Sequence, residues 1–416
     1  MKYSLLIIYS MVTLFLQAQP QKFTFNTKPS EVGFDERRLA KLDSFINQNI
    51  KNGKIPNNTT FIAREGKVFH YKAFGWKNVE TKEKVDIKTI YRNASQTKAI
   101  TTVAAMILLE RGYFQLNDPL SKYLPEFKNM QVLDTLYSKD TTFKAHTASG
   151  EITIKHLMAH TSGIMYDHAI AFKAGIPFFN SLKPLTLKDV VPQIAKFPLL
   201  HEPGKKFTYG LNSDVLGYLI EKLSGKSLDV FFKEEICEPL GMTDTYFYLP
   251  KEKQSRLVEL YQIEGKDNLL KVSTNDQYRN FAIKGAQTYF SGGAGLVGTI
   301  EDYAKFCQML LNEGSFNNVQ LLSRKTIQTM TTNQIGESYI WDNENKFGLG
   351  FELITEKGIS SYLGTVGSYR WGGMYTTDYI IDKKENLIIL FYTNINPNAY
   401  WGLNSTNRNL MYQALK

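Results

Sequence analysis

The chain has 416 residues, with 49 Lys and Arg against 40 Asp and Glu, for a formal net charge of +9. Hydrophobic residues make up 43% and charged residues 21%; this excludes disordered, collagen-like and coiled-coil classes and fits one large or two ordinary domains. The basic residues are scattered, so the charge points to no nucleic-acid partner. Residues 1–18 carry Lys2, an apolar run from Leu5 to Leu16 and a small-residue context at Ala18. That is the pattern of a signal peptide cleaved after Ala18, with too short an apolar run for a membrane span. The mature chain is therefore expected to be secreted or periplasmic and to lack an integral membrane span.

A helix is expected over residues 34–50, with Leu39, Leu42, Phe45 and Ile46 on one side. A hairpin is expected over 58–78, turning at Glu65-Gly66. A strong helix runs from Ser95 to Arg111 and stops at Gly112. Thr153 can cap a short helix that ends at Thr161-Ser162-Gly163, and Thr186 with Asp189 resembles a capping box. An amphipathic helix spans Asn212 to Leu223 and ends at Gly225. Thr299 and Asp302 cap a helix that carries Cys307. The remainder reads as strands in FGLGFELI, SYRWGGMYTTDYIID and ENLIILFYTN, followed by a helix near 400–416. Strands at both ends around a helical middle predict one sheet built by residues 19–95 and 290–416, with 96–289 as a mainly helical insertion. The loops 130–150, 164–185 and 250–288 are expected to shape a cleft. Cys237 and Cys307 match no metal or redox spacing; they read as buried thiols, with a single bridge left open.

Ser95-Gln96-Thr97-Lys98 opens the strong helix, and one turn places the Ser95 hydroxyl and the Lys98 amine on a shared face. Serine needs a base to become a nucleophile, and an amine lowered by burial and nearby cations can serve. The four residues alone also fit a solvated polar turn. The following Ala99, Ile100, Val103, Ala104, Ile107 and Leu108 argue against that, because they make the helix apolar nearly all round. Tyr209-Gly210-Leu211-Asn212 is a second candidate. Tyr209 can relay a proton, and Asn212 can cap its own helix or hold Lys98 and a substrate carbonyl. Trp371-Gly372-Gly373 is a third, since paired glycines in a strand need a reason such as a ligand carbonyl against the backbone; a β-bulge is the other reading. The amides of Ser95 and Met374 then form a two-donor oxyanion hole.

This order of motifs resembles the serine β-lactamase-related superfamily. It is most similar to the class C-like branch, which holds penicillin-binding carboxypeptidases, D-aminopeptidases and serine esterases. LMAHTSG at 157–163, LNSDVLGYLIEKLSG at 211–225, EPLGMTDT at 238–245 and SGGAGLVGTIEDYAKF at 291–306 resemble its connecting segments. The resemblance implies an α/β (α+β) fold of the β-lactamase/transpeptidase type, a mostly antiparallel sheet flanked by helices with an inserted helical domain. It also implies Ser95 as acylated nucleophile, Lys98 as general base, Tyr209 in proton transfer and deacylation, and Asn212 orienting Lys98 and the acyl group. No metal or organic cofactor is implied. Where relatives place a cationic residue to hold a substrate carboxylate, this chain has Trp371, as the esterase members do. Arg370 is adjacent, but alternation points it to the other face.

The pattern favours a secreted serine hydrolase of small or medium acyl esters acting through an acyl-enzyme. A D-stereospecific peptidase or carboxypeptidase, a weak β-lactamase, and a non-catalytic binding protein of this fold are the alternatives. His156 and His160, four residues apart, and His201 lack a metal-site pattern and read as satisfied or capping side chains. Ser162 reads as part of a helix-ending turn. Gly292, Gly293, Gly295 and Gly298 read as close packing beside the cleft.

Overall fold

The computed structural model describes residues 19–137, 142–166, 183–264, 269–341, 344–396 and 402–416. The expected leader, residues 1–18, lies outside them. Eight strands form one antiparallel sheet: β1 (Asn57–Arg64), β2 (Lys67–Asn78), β3 (Glu83–Lys84), β4 (Lys346–Phe347), β5 (Glu352–Leu353), β6 (Tyr369–Gly373), β7 (Thr377–Asp382) and β8 (Leu387–Tyr392). Their spatial order is β4-β5-β6-β7-β8-β1-β2-β3. The seam between the two ends of the chain runs from Thr59 opposite Tyr392 to Arg64 opposite Leu387.

Alternation along the strands decides what each face meets. Ile62, Ile380, Ile389 and Phe391 point to helices α1 (Glu36–Lys51) and α7 (Leu403–Tyr412), packing with Phe34, Leu42, Ile46 and Met411. Phe61, Ala63, Ile381, Ile388, Leu390 and Tyr392 point the other way, into the core shared with α2 (Thr97–Glu110) and α6 (Ile300–Leu311). Full burial of each large side chain stabilises the layers by about 1.5–3 kcal/mol.

Between the sheet's two halves lie α3 (Ile154–Met158), α4 (Leu187–Ile194) and α5 (Asn212–Ser224). The capping readings hold in detail: Thr153 and His156, and Thr186 and Asp189, form reciprocal capping boxes. Thr299 accepts the Asp302 amide at the start of α6. Two regions read as loops contain hairpins, Gln131–Leu136 with Phe143–Thr147 and Tyr261–Glu264 with Leu269–Val272. The strands of the first are largely exposed and lack the apolar alternation that marks a core strand. Those of the second are four residues each. That is too short for the alternation of Tyr261 and Ile263, which pack with Leu270 and Val272 on a small buried cluster, to stand out as a period. FGLGFELI is two strands, because Gly350 takes a left-handed φ of 86° between them. Cys237 and Cys307 are free and buried. No helix among the described residues is long and apolar enough to cross a membrane.

A small sheet matters for the site. Val297–Gly298 pairs with Tyr91–Arg92 on one side and Thr245–Tyr246 on the other. This pairing lays the glycine-rich segment 291–298 beside the turn that enters α2.

Candidate active site

Ser95 sits in a single 3-10 turn, Ala94–Gln96, that runs directly into α2. Ala94 is fully buried at φ 45°, a left-handed conformation that residues with a Cβ rarely adopt. The surroundings hold it there. The Asn93 amide donates to the Leu296 carbonyl at 3.0 Å, and the Leu296 amide donates to Thr97 Oγ1 at 3.1 Å. The Tyr303 hydroxyl donates to the Gln96 carbonyl at 2.9 Å, and the Tyr392 hydroxyl to Gln96 Oε1. Every residue of α2 from Thr97 to Leu108 is buried, as the apolar circumference predicted.

Lys98 is 3% exposed. Its Nζ donates to Ser95 Oγ at 3.2 Å and to the Gly293 carbonyl at 2.7 Å. It lies 4.7 Å from the ring centre of Tyr209 and 5.6 Å from that of Tyr166. The expectation of a lowered amine is corrected here. Burial does push the pKa down, but the Tyr166 and Tyr209 phenols and the Asp214 carboxyl outweigh it, and the net direction is upward. Among the described residues the charge partners of Lys98 are phenols and a carboxyl, with no cation to reverse this. Asp214, buried behind it, accepts from Ser291 Oγ at 2.6 Å, and burial holds its carboxyl above the usual range.

Tyr209 is half-buried and packed on all sides by rings: His160 at 4.9 Å, Tyr166 stacked at 5.6 Å and Trp371 at 5.4 Å. The Trp371 indole donates to the Tyr209 hydroxyl at 3.3 Å. The structure thus brings Ser95, Lys98, Tyr209 and Trp371 together. Asn212 is placed differently from the expectation. It neither caps α5, whose N-cap is Leu211, nor bonds Lys98. Its Nδ2 bonds His160 Nδ1 at 2.9 Å and its Oδ1 accepts from Ser162 Oγ. An Asn Nδ2 donor makes His160 Nδ1 the acceptor, so the ring is neutral. Burial and the nearby Lys98 charge push its pKa down in agreement. Asn212 therefore acts on the site by fixing the ring against which Tyr209 leans.

On β6, alternation separates neighbours as expected. Trp371 faces Tyr209, while Arg370 bonds Glu352 at 2.9 Å and lies 3.7 Å from Asp378 on the opposite face. Asp378 also pairs with Arg408 at 3.2 Å. Arg370 is thus no substitute for a substrate-binding cation. The glycines answer to the protein itself: a Cβ on Gly373 would strike the Asn93 carbonyl and Thr377 Oγ1, and one on Gly372 would lie 2.9 Å from the Thr377 carbonyl. Gly373 thereby lets β6 touch the turn carrying Ser95. Among the described residues, neither the Ser95 nor the Met374 amide donates to another group.

Three side chains escaped the sequence reading: Tyr166, His160 in its role beside Tyr209, and Trp341, which stacks on Trp371 at 5.7 Å. Their contacts span tens of residues, so no local spacing announces them. His156 is engaged in its capping box, and His201 bridges the Glu202 carbonyl and Thr208 Oγ1. Ser162 is buried and bonded to Asn212 and the Ile164 amide.

The sequence pattern of the beta-lactamase family matches residues 42–411. The chain belongs to the beta-lactamase family. This family member is 28% identical over 355 residues to Protein Rv1367c of Mycobacterium tuberculosis, covering 82% of this chain and 86% of that one. It is 24% identical over 396 residues to Esterase EstB of Burkholderia gladioli, covering 90% and 94% respectively. Among solved structures, EstCE1, a hydrolase with promiscuous acyltransferase activity, superposes with a TM-score of 0.75 at 26% identity, covering 91% of this chain and 98% of that one. The antiparallel sheet and flanking helices are the family's fold, and the beta-lactamase-family chain is a serine hydrolase.

Proposed function

We propose that the protein is an exported carboxylesterase of small or medium acyl esters that works through an acyl-enzyme on Ser95. Ser95 Oγ attacks the ester carbonyl carbon, and its proton passes to the Lys98–Tyr209 pair, which has lost one proton in its active form. The oxyanion that develops faces the amides of Ser95 and Met374. Collapse breaks the bond to the alkoxide, which leaves as alcohol with the proton returned by the pair. Water then attacks the acyl carbonyl, gives its proton to the pair, and collapse restores Ser95 and releases the acid. His160, Asn212 and Trp371 position Tyr209 for both transfers.

The observation that carries the substrate class is Trp371. By the family resemblance, Trp371 stands where relatives carry a cation for a substrate carboxylate, and the adjacent Arg370 is engaged by Glu352 and Asp378. Such a rim suits neutral esters, and among the described residues it offers a free carboxylate no cationic side chain beyond the engaged Arg370 and the buried Lys98. Lys2, the apolar run Leu5–Leu16 and Ala18 support export.

The test is one panel on the purified mature protein: short acyl esters, D-amino-acid amides and a β-lactam, with its mass checked for loss of residues 1–18. Esters are expected to have the highest kcat/KM, and Ser95→Ala to abolish turnover. A kcat/KM for the amides or the β-lactam equal to that for the esters would overturn the substrate class, and an uncut chain the export.

A further inference from the structure

Trp341 is 60% exposed, a large apolar surface left to solvent at the rim of the site. Its backbone holds φ 47°, a left-handed conformation that costs a residue bearing a Cβ about 1–3 kcal/mol. The indole nevertheless packs against three rings. It stacks on Trp371 with 25° between the planes, meets Tyr209 edge-on at 6.0 Å, and meets Phe207 edge-on at 6.1 Å. Through Trp371 it is one ring removed from the Tyr209 hydroxyl, which the Trp371 indole bonds at 3.3 Å. A strained and solvent-facing indole layered on a site ring has the form of a platform, and among the described residues no ring stacks on its other face.

We propose that Trp341 forms, over Trp371, a subsite for a planar apolar group on the alcohol side of the ester. This rests on the ester-hydrolase reading above. The side follows from proton transfer: the leaving oxygen must lie against the Tyr209 hydroxyl to receive a proton, and Trp341 packs on that same ring. A flat aromatic group attached to the leaving oxygen then stacks on the indole, a contact whose strength corresponds to roughly three- to tenfold in affinity. With the carbonyl oxygen facing the Ser95 and Met374 amides and the leaving oxygen at Tyr209, the acyl chain takes the remaining direction, away from this ring. Benzyl-type esters are therefore the preferred class over esters of methanol with the same acyl group.

The experiment compares wild type, Trp341→Ala and Trp341→Phe on benzyl acetate, methyl acetate and methyl benzoate. The ratio of kcat/KM for benzyl over methyl acetate is expected to fall about three- to tenfold in Trp341→Ala and to be largely kept in Trp341→Phe. The ratio of methyl benzoate over methyl acetate is expected to stay constant. An equal fall on all three esters, as a purely structural role would give, overturns the subsite; so does a change confined to the benzoate ratio. Labelling of Ser95 by an organophosphonate is scored in the same preparations. Its failure in wild type strikes the ester-hydrolase reading itself, whereas labelled, active protein with unchanged ratios strikes only the subsite.

Discussion

Lys98 controls the chemistry through the company it keeps. Its amine is out of water, yet two phenols and the Asp214 carboxyl lie close enough to favour the ammonium, so its pKa rises above the ordinary 10.5. The Lys98–Tyr209 pair can take the Ser95 proton only after releasing one of its own. A raised pKa places that release on the alkaline side, and kcat/KM should keep climbing with pH beyond neutrality without a plateau there. The stability sign is opposite. The bonded ammonium stabilises the fold fully below the unfolded value of 10.5, and that contribution is lost as pH rises through the folded value. His160 adds no limb near its ordinary 6.5, because burial keeps it neutral far below that pH. A pH–rate profile on a short ester, with folding checked by circular dichroism, measures this. A plateau reached by pH 7 would show that the pair is already deprotonated there and would contradict the upward direction of the Lys98 pKa.

At the scale of elements, the contact between β6 and the Ser95 turn sets the spacing of the reacting groups. Gly373 lies where any side chain would collide with the Asn93 carbonyl, two residues before the nucleophile. Gly373→Ala must part the strand from the turn, moving the Met374 amide and Trp371 relative to Ser95. A displacement near 1 Å costs about 100-fold in rate, while overpacking costs roughly 1–3 kcal/mol in stability. Steady-state kinetics with a thermal melt should show a folded protein with kcat reduced on that order. Parental kcat in the variant would mean that the approach of β6 is incidental. Helix α2 makes the complementary contribution: buried from Thr97 to Leu108, it cannot rotate Lys98 away from Ser95 without exposing apolar surface.

Across the whole molecule, the site is a meeting of segments far apart in sequence: 93–98, 160–166, 209–212, 291–296 and 369–374. The elements that carry them were largely readable, because α2 and α5 announce themselves by apolar spacing and α3, α4 and α6 by their caps. The β1–β8 seam followed from strand-like runs at both ends. Ser95, Lys98, Tyr209 and Trp371 were readable as motifs and do converge. What escaped was relational. Asn212 reads as a cap or a Lys98 ligand, yet its partner is His160, a pairing decided by where α3 ends against α5. The phenols that raise Lys98 are likewise supplied by folding, with Tyr166 arriving from a segment that shows no motif. The strand pair 131–136 with 143–147 was missed because it is mostly exposed, and the pair 261–264 with 269–272 because four-residue strands are too short to show a period. The central claim is that this convergence makes Ser95 the nucleophile. The direct measurement is treatment with an organophosphonate ester probe, followed by digestion and mass spectrometry of the labelled peptide. The account predicts one phosphonyl adduct on Ser95, formed in wild type and strongly slowed in Lys98→Ala. An adduct on another serine, such as Ser162, or ester turnover with Ser95 unlabelled, would contradict it.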